Sequence, residues 1–295
     1  MTTTLAIVAT GEMGSAVGAA YVRAGYRVLS DLSERSAASR ERAASAGIED
    51  AGSLTALLGT AEIVLSIVPP AAAVDFARSA AAALPAAGPR PVLVDCNAVA
   101  PATVRSIAAL WRDAGGVFVD AGIVGPAPRA GTPAPTRVYV SGEARARVLA
   151  LATPELRMID MGPETGRASA IKMAYAAMNK GVDALYTAVL MAAERLGVRE
   201  ELMEEFRGSQ TREAERMAAR LPYLAATAER YTGEMREIAA TFAAAGVTDG
   251  FHRGAEWVYA ALARTPLAEE TRATLPAHRP LDEAIRAFCG VLGEP

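Results

Sequence analysis

The stretch from Leu5 to Gly18, LAIVATGEMGSAVG, limits the possible folds of this chain more than any other. Its apolar run Leu5-Ala6-Ile7-Val8 reads as a buried strand, and a glycine-bearing turn leads straight into a helix start. Laid on the pattern G-x-G-x-x-G, the turn is Ala9-Thr10-Gly11-Glu12-Met13-Gly14, with alanine at the first glycine. Gly11 would let the backbone approach a pyrophosphate, and Gly14 would let the helix pack on the strand. The N–H groups opening the helix, from Gly11 through Glu12 and Met13, would then face the phosphates. An acid about 20 residues on completes the dinucleotide pattern, and Asp31 holds that place. The competing reading is a plain strand-to-helix turn in an α/β fold.

Up to about residue 142 the chain alternates strand and helix signals. A helix over 15–24 stops at Gly25, and a strand over 26–31 ends on Asp31, where a carboxylate can take ribose hydroxyls. Asp31 can also be read as a turn or helix-cap residue. Ser33, Arg35 and Ser36 follow, a hydroxyl and basic group able to accept a 2′-phosphate that Asp31 would repel. NAD is weakly favoured, and NADP stays open. Further buried strands are expected over 62–68, 91–95, 117–120 and 137–140. The third strand runs into Pro69-Pro70, a stiff exit at the strand end where open parallel sheets bind ligands. Continuous apolar runs point to a mostly parallel sheet covered on both faces.

From Gly166 onward the strand signal disappears. Helices are expected over 168–196, 200–221, 225–245, 251–262 and 281–292, with Gly246 as a stop. The expectation is an α/β protein: an N-terminal doubly wound, Rossmann-type domain over 1–165, then an all-helical domain over 166–295 built on a long interdomain helix. The active site is expected in the cleft between them.

Bulk properties exclude several classes of function. A net charge of −3 and a pI near 5.6 argue against nucleic acid or an anionic membrane as partner. No apolar run reaches the roughly 20 residues of a membrane span. Two cysteines, Cys96 and Cys289, suit a reducing compartment, and no basic leader precedes the first strand, so the cytoplasm is expected. His252 and His278 with two distant cysteines make no metal-ligand set, and no metal is expected.

One polar stripe interrupts the long helix. Lys172, Ala176, Asn179 and Asp183 fall at i, i+4, i+7 and i+11, on one face. A solvated face would account for it. A lysine at an active site would account for it too, since partial burial brings a lysine toward neutrality and fits it for proton transfer.

Taken together, these segments resemble the β-hydroxyacid dehydrogenase family, which includes 3-hydroxyisobutyrate and 6-phosphogluconate dehydrogenases. ATGEMG matches the family's N-terminal loop. Asp95-Cys96-Asn97-Ala98-Val99-Ala100-Pro101 stands in the place of D-x-S-T-x-x-P, near the nicotinamide. Asp120-Ala121-Gly122-Ile123-Val124-Gly125-Pro126 stands in the place of the substrate-binding D-A-P-V-S-G-G. Gly166 to Lys172 matches G-x-G-x-x-x-K, whose lysine is catalytic. The departures are specific: Val124 replaces the substrate-binding serine, Ala168 the second glycine, and Ala176 the asparagine four residues after the lysine. Asn179 or Tyr175 could substitute for that asparagine. Gly233-Glu234 stands where the family has Lys-Asp, as in a phosphogluconate-dehydrogenase-like branch.

The resemblance implies an NAD(P)-dependent oxidoreductase acting on a small hydroxy acid or related alcohol. Lys172 and Asn179 would be catalytic. Gly11, Glu12, Met13, Gly14, Asp31, Arg35, Val68, Pro69 and Asn97 would hold the dinucleotide. Val124, Gly125, Tyr175, Lys180 and Glu234 would meet the substrate. A homodimer through the helical half is expected. The alternative is a dinucleotide-binding sensor or structural dimer without catalysis.

Overall fold

The computed structural model describes residues 3–84, 90–271 and 274–293. The chain divides into two compact units, Met1–Met173 and Ala174–Pro295.

In the first unit the glycine turn lies between β1 (Thr4–Val8) and α1 (Glu12–Arg23), and Gly25 at φ +88° closes the helix. There follow β2 (Arg27–Ser30), α2 (Ala37–Ser45), β3 (Glu49–Asp50), α3 (Leu54–Thr60), β4 (Ile63–Ser66), α4 (Pro70–Ala82), β5 (Val92–Asp95) and α5 (Pro101–Asp113). The unit continues with β6 (Val117–Val124), β7 (Thr136–Ser141), α6 (Ala146–Leu149) and β8 (Leu156–Asp160). The strands form one sheet in the order β3-β2-β1-β4-β5-β6-β7-β8, parallel except between β6 and β7. Order 3-2-1-4-5-6 is the doubly wound arrangement, with its reversal between β1 and β4.

Alternate strand residues feed two cores. Leu5, Ile7, Ile63, Leu65, Val92 and Val94 pack with Val17 and Tyr21 of α1 and Ala43 of α2. Ala6, Val8, Val64 and Leu93 pack with Leu57 and Leu58 of α3, Ala77 of α4 and Ile107 and Trp111 of α5. Burial on both faces explains why these strands read as unbroken apolar runs.

The expected sheet is found, with three corrections. β6 continues past Asp120 to Val124, so Ala121-Gly122-Ile123-Val124 is strand paired with β7 rather than loop. β3 and β8 were not expected: β3 is two exposed residues, and β8 is only partly buried, so neither carries a strong apolar signature.

The long helix α7 (Arg167–Leu196) begins in the first unit, and the division falls inside it. The second unit also contains α8 (Arg199–Ser209), α9 (Thr211–Arg220), α10 (Ala228–Ala244), α11 (Gly250–Leu262) and α12 (Leu281–Cys289). The helix expected over 200–221 is two helices, because Gln210 leaves helical conformation at φ −139°, ψ 57°. The one expected over 225–245 opens as a 3₁₀ turn, Ala225–Thr227, before α10. The last ends at Cys289, short of Leu292. Gly246 at φ +72° stops α10 as expected. Among the described residues no helix is long and apolar enough to cross a membrane.

Candidate active site

Gly14 is fixed by contact: a Cβ there would lie 2.1 Å from the Ala9 carbonyl oxygen. Gly11 caps α1 without a side-chain hydrogen bond, and a Cβ on it would meet nothing within 4 Å. Open space over the helix start is what an approaching phosphate needs. Ala9, at the first-glycine position, takes φ +67°, the left-handed region that costs a side-chain residue roughly 1–2 kcal/mol. Glu12 is exposed in the first turn, and Met13 packs against the core below.

At the end of β2, Asp31 Oδ1 accepts from the Ser33 amide at 3.1 Å and from Ser33 Oγ at 2.6 Å, shaping the turn. Arg35 is exposed, and its carbonyl accepts from Arg40 Nε at 3.0 Å. Arg42 Nε donates to the Thr10 carbonyl at 2.9 Å, and Thr10 Oγ1 to the Ser39 carbonyl at 2.9 Å. The glycine loop and the start of α2 are thus tied together. Sequence reasoning missed Arg42 because it lies inside a helix, away from the motif.

Asn97 is buried, and its side chain is engaged on every side. Its Oδ1 accepts from the Val68 amide at 2.7 Å, and its Nδ2 donates to Asp95 Oδ2 at 2.7 Å and Ser66 Oγ at 3.0 Å. The amide clamps the carboxyl ends of β4 and β5 together and sets the course of Val68 and Pro69. Burial pushes the Asp95 carboxyl up to about 7; bonds from Asn97 and the charge of Lys172 oppose the rise, and Asp120 adds to it. Burial likewise pushes the Cys96 thiol up.

Asp95 pairs in register with Asp120 on β6. Asp120 is fully buried and receives the start of α7. Its Oδ2 accepts from the amides of Gly166, Ala168 and Ser169 at 2.9, 3.1 and 3.1 Å and from Ser141 Oγ at 2.9 Å. Its Oδ1 accepts from Ser169 Oγ at 2.7 Å. Gly166 takes φ +107° at this junction, so glycine is required there. Ala168 takes part through its amide, which a methyl side chain does not disturb. One turn on, Lys172 Nζ donates to the Cys96 carbonyl at 2.9 Å. Lys172 is therefore brought to the carboxyl end of β5, beside Asp95 and the clamp made by Asn97. Val124 is buried at the end of β6, and Gly125 follows at φ +118°.

In the second unit Asp183 is fully buried, not solvated. Arg216 meets its Oδ1 through Nε and Nη2 at 3.0 and 2.7 Å, and Arg220 its Oδ2 at 3.0 and 2.6 Å. Lys180 is paired with Glu234, which Arg230 also reaches at 3.0 Å, and its Nζ stands 4.7 Å from the Tyr231 ring centroid. The Tyr259 hydroxyl donates to the Lys180 carbonyl at 2.8 Å. Asn179 Nδ2 donates to the Tyr175 carbonyl at 3.2 Å, and Tyr175 is exposed. The expected stripe is thus a set of anchored groups rather than a solvated face. Arg216 and Arg220, the partners of Asp183, gave no signal in the sequence because they come from another helix.

The composition isolates the two lysines. Of 30 Lys and Arg residues, only Lys172 and Lys180 are lysine. Arginine supplies charge throughout this chain, and only lysine can readily exchange a proton near neutrality.

The NAD-binding domain of 6-phosphogluconate dehydrogenase matches residues 4–150, and a domain of unknown function, DUF1932, matches 193–262. The chain belongs to the β-hydroxyacid dehydrogenase family. Its fold is that of 3-hydroxyisobutyrate dehydrogenase from Mycobacterium tuberculosis, solved with L-serine. That enzyme is 20% identical at a TM-score of 0.65, with 98% of this chain and 99% of that one covered. A conserved protein of unknown function, described as similar to 3-hydroxyacid dehydrogenases, is 27% identical at a TM-score of 0.61, covering 97% and 99%. A reductive aminase from Aspergillus terreus, solved with NADPH, cyclohexanone and allyl amine, is 19% identical at a TM-score of 0.56, covering 98% and 100%. No curated protein matches the chain. The first unit carries the NAD-binding domain that the match over residues 4–150 describes.

Proposed function

We propose that this chain transfers a hydride between NAD(P) and a small hydroxy acid or related alcohol, with Lys172 as general acid and base. The observation that carries the reading is the position of Lys172. Its ammonium is held by the Cys96 carbonyl at the carboxyl end of β5, beside the reversal point where a doubly wound sheet takes its nucleotide. The open helix start at Gly11, with Gly14, Val68 and Pro69, would hold the pyrophosphate path and Asp31 the adenosine ribose, with Arg35 placed to meet a 2′-phosphate if NADP binds. The dinucleotide supplies the hydride chemistry. Lys172 would take the hydroxyl proton in oxidation and return it in reduction.

Asn97, whose amide is spent on Val68, Asp95 and Ser66, would act beside the nicotinamide by shaping the strand ends. Asn179 remains the proposed catalytic partner of Lys172, and Val124, Gly125, Tyr175, Lys180 and Glu234 remain the proposed substrate contacts, on the motif resemblance. NAD is weakly favoured over NADP, because Asp31 would repel a 2′-phosphate. A soluble cytoplasmic homodimer fits the composition and the apolar stripe of α7. Tyr175, Met178, Leu185 and Leu196 lie exposed at helical spacing with Val182 and Val189 between them. The two domains assigned from the sequence, 1–165 for the dinucleotide and 166–295 for substrate and dimerisation, are part of this proposal.

The test is turnover of a hydroxy-acid panel with NAD and NADP, preceded by dinucleotide binding followed through nicotinamide fluorescence. Binding without turnover of any alcohol or hydroxy acid would favour the non-catalytic sensor.

A further inference from the structure

The first turn of an α-helix leaves its N–H groups without partners inside the helix. The residue before the helix usually supplies an acceptor. For α7 the acceptor is Asp120, 46 to 49 positions upstream on β6, fully buried and holding five donors. A carboxylate at a helix N-terminus is also favoured by the helix dipole. The contact is close by design of the strand: a Cβ on Gly122 would lie 2.6 Å from the Ala168 carbonyl oxygen and 3.1 Å from Lys172 Cβ. Lys172 follows Ser169 by three positions, on the same side of the helix, and ends on the neighbouring strand at Cys96.

Resting on the assignment of Lys172 as the proton-transfer group, we propose that Asp120 is its positioning residue. Asp120 holds the first turn of α7 against β6, so that the ammonium of Lys172 reaches the end of β5. It acts through acceptor geometry and does not touch substrate. An isosteric asparagine keeps this geometry: its Oδ1 can take the three amides and Ser141, while its amide donates to Ser169 Oγ, whose hydroxyl turns to accept. Alanine leaves three amides and two hydroxyls without that acceptor, and frees the helix start to shift. A displacement near 1 Å at a reacting group costs up to about 10²-fold in rate.

Having only two lysines makes the placement measurable apart from activity. The full-length protein is treated with a trace of an acetylating reagent, and the Lys172 to Lys180 modification ratio is read by peptide mass spectrometry. Lys180 serves as the internal standard. Asp120→Ala should raise that ratio about fivefold or more and lower kcat about tenfold or more, with the dinucleotide Kd within about twofold of wild type. Asp120→Asn should restore both the ratio and kcat to within about threefold. If Asp120→Ala does not fold, Ser141→Ala/Ser169→Ala removes two of the five donors and should move ratio and kcat in the same direction. A folded Asp120→Ala or double variant with unchanged ratio and kcat overturns the proposal. So does an asparagine variant as impaired as the alanine one, which would make charge rather than placement the cause. Retained turnover in Lys172→Ala would refute the acid–base assignment alone, because the modification ratio still reports whether Asp120 places the lysine.

Discussion

Gly122→Ala puts one methyl group between β6 and the first turn of α7. The new Cβ would sit 2.6 Å from the Ala168 carbonyl oxygen, whereas ordinary contact begins at 3.4 Å, so the helix start must retreat by about 0.8 Å. Both partners are backbone, and no flexible side chain can yield instead. Taken along the Asp120 bonds, that retreat stretches contacts of 2.9–3.1 Å beyond hydrogen-bond range. Overpacking alone costs about 1–3 kcal/mol, and one weakened bond to a charged acceptor adds about 1.5 kcal/mol or more. The expected loss is about 2–4 kcal/mol, read by scanning calorimetry as a fall in Tm of roughly 5–12 °C. Turnover should fall with it, while dinucleotide Kd should hold, because the glycine loop follows β1, which β4 and β5 separate from β6 in the sheet. Unchanged Tm and unchanged kcat would refute the claim that α7 docks on β6 at this spacing.

Lys172→Ala should lower kcat and kcat/KM together by about 10² or more, and Lys172→Arg should do the same despite keeping the charge; steady-state kinetics decides. Gly14→Ala should abolish dinucleotide binding in a fluorescence titration, because its Cβ would collide with the Ala9 carbonyl oxygen at 2.1 Å. Asp95 gives a pH dependence of stability. Its carboxyl is raised in the folded state to about 7, so its contribution is fully present below about 4 and is lost as pH rises to about 7. The full loss is up to about 4 kcal/mol, and Asp95→Asn should flatten that part of the urea-stability profile. Leu185→Glu, on the exposed apolar face of α7, should convert the proposed dimer to a monomer by light scattering; a wild type already monomeric at micromolar concentration would refute the dimer.

The doubly wound sheet was legible because local patterns carried it. Leu5-Ala6-Ile7-Val8, the glycine turn and Asp31 lie within one βαβ unit, where spacing along the chain and spacing in space are the same thing. The long helix was legible for a similar reason: 30 residues without a strong breaker have one low-energy conformation. Lys172 stood out within it through a polar stripe on an apolar helix. β8 escaped because Leu156-Arg157-Met158-Ile159-Asp160 is half-buried at the edge and is defined by its pairing with β7, not by its own periodicity. The break at Gln210 escaped because a backbone angle, not a glycine or proline, makes it.

Among the site residues, the sequence by itself determined which groups were available: a glycine turn at Gly11 and Gly14 opening a helix, an acid just past the second strand, and a lysine in a chain that otherwise uses arginine. The tertiary structure alone decided what each polar group spends its bonds on. Asn97 became a clamp between β4 and β5, Asp183 the buried partner of Arg216 and Arg220, and Lys180 the partner of Glu234. Above all, Asp120 became the cap of a helix that starts 47 residues later. The physical reason is range. Strand and helix patterns follow from neighbours a few positions apart, whereas a buried carboxylate must be satisfied by whatever donors the folded chain brings to it.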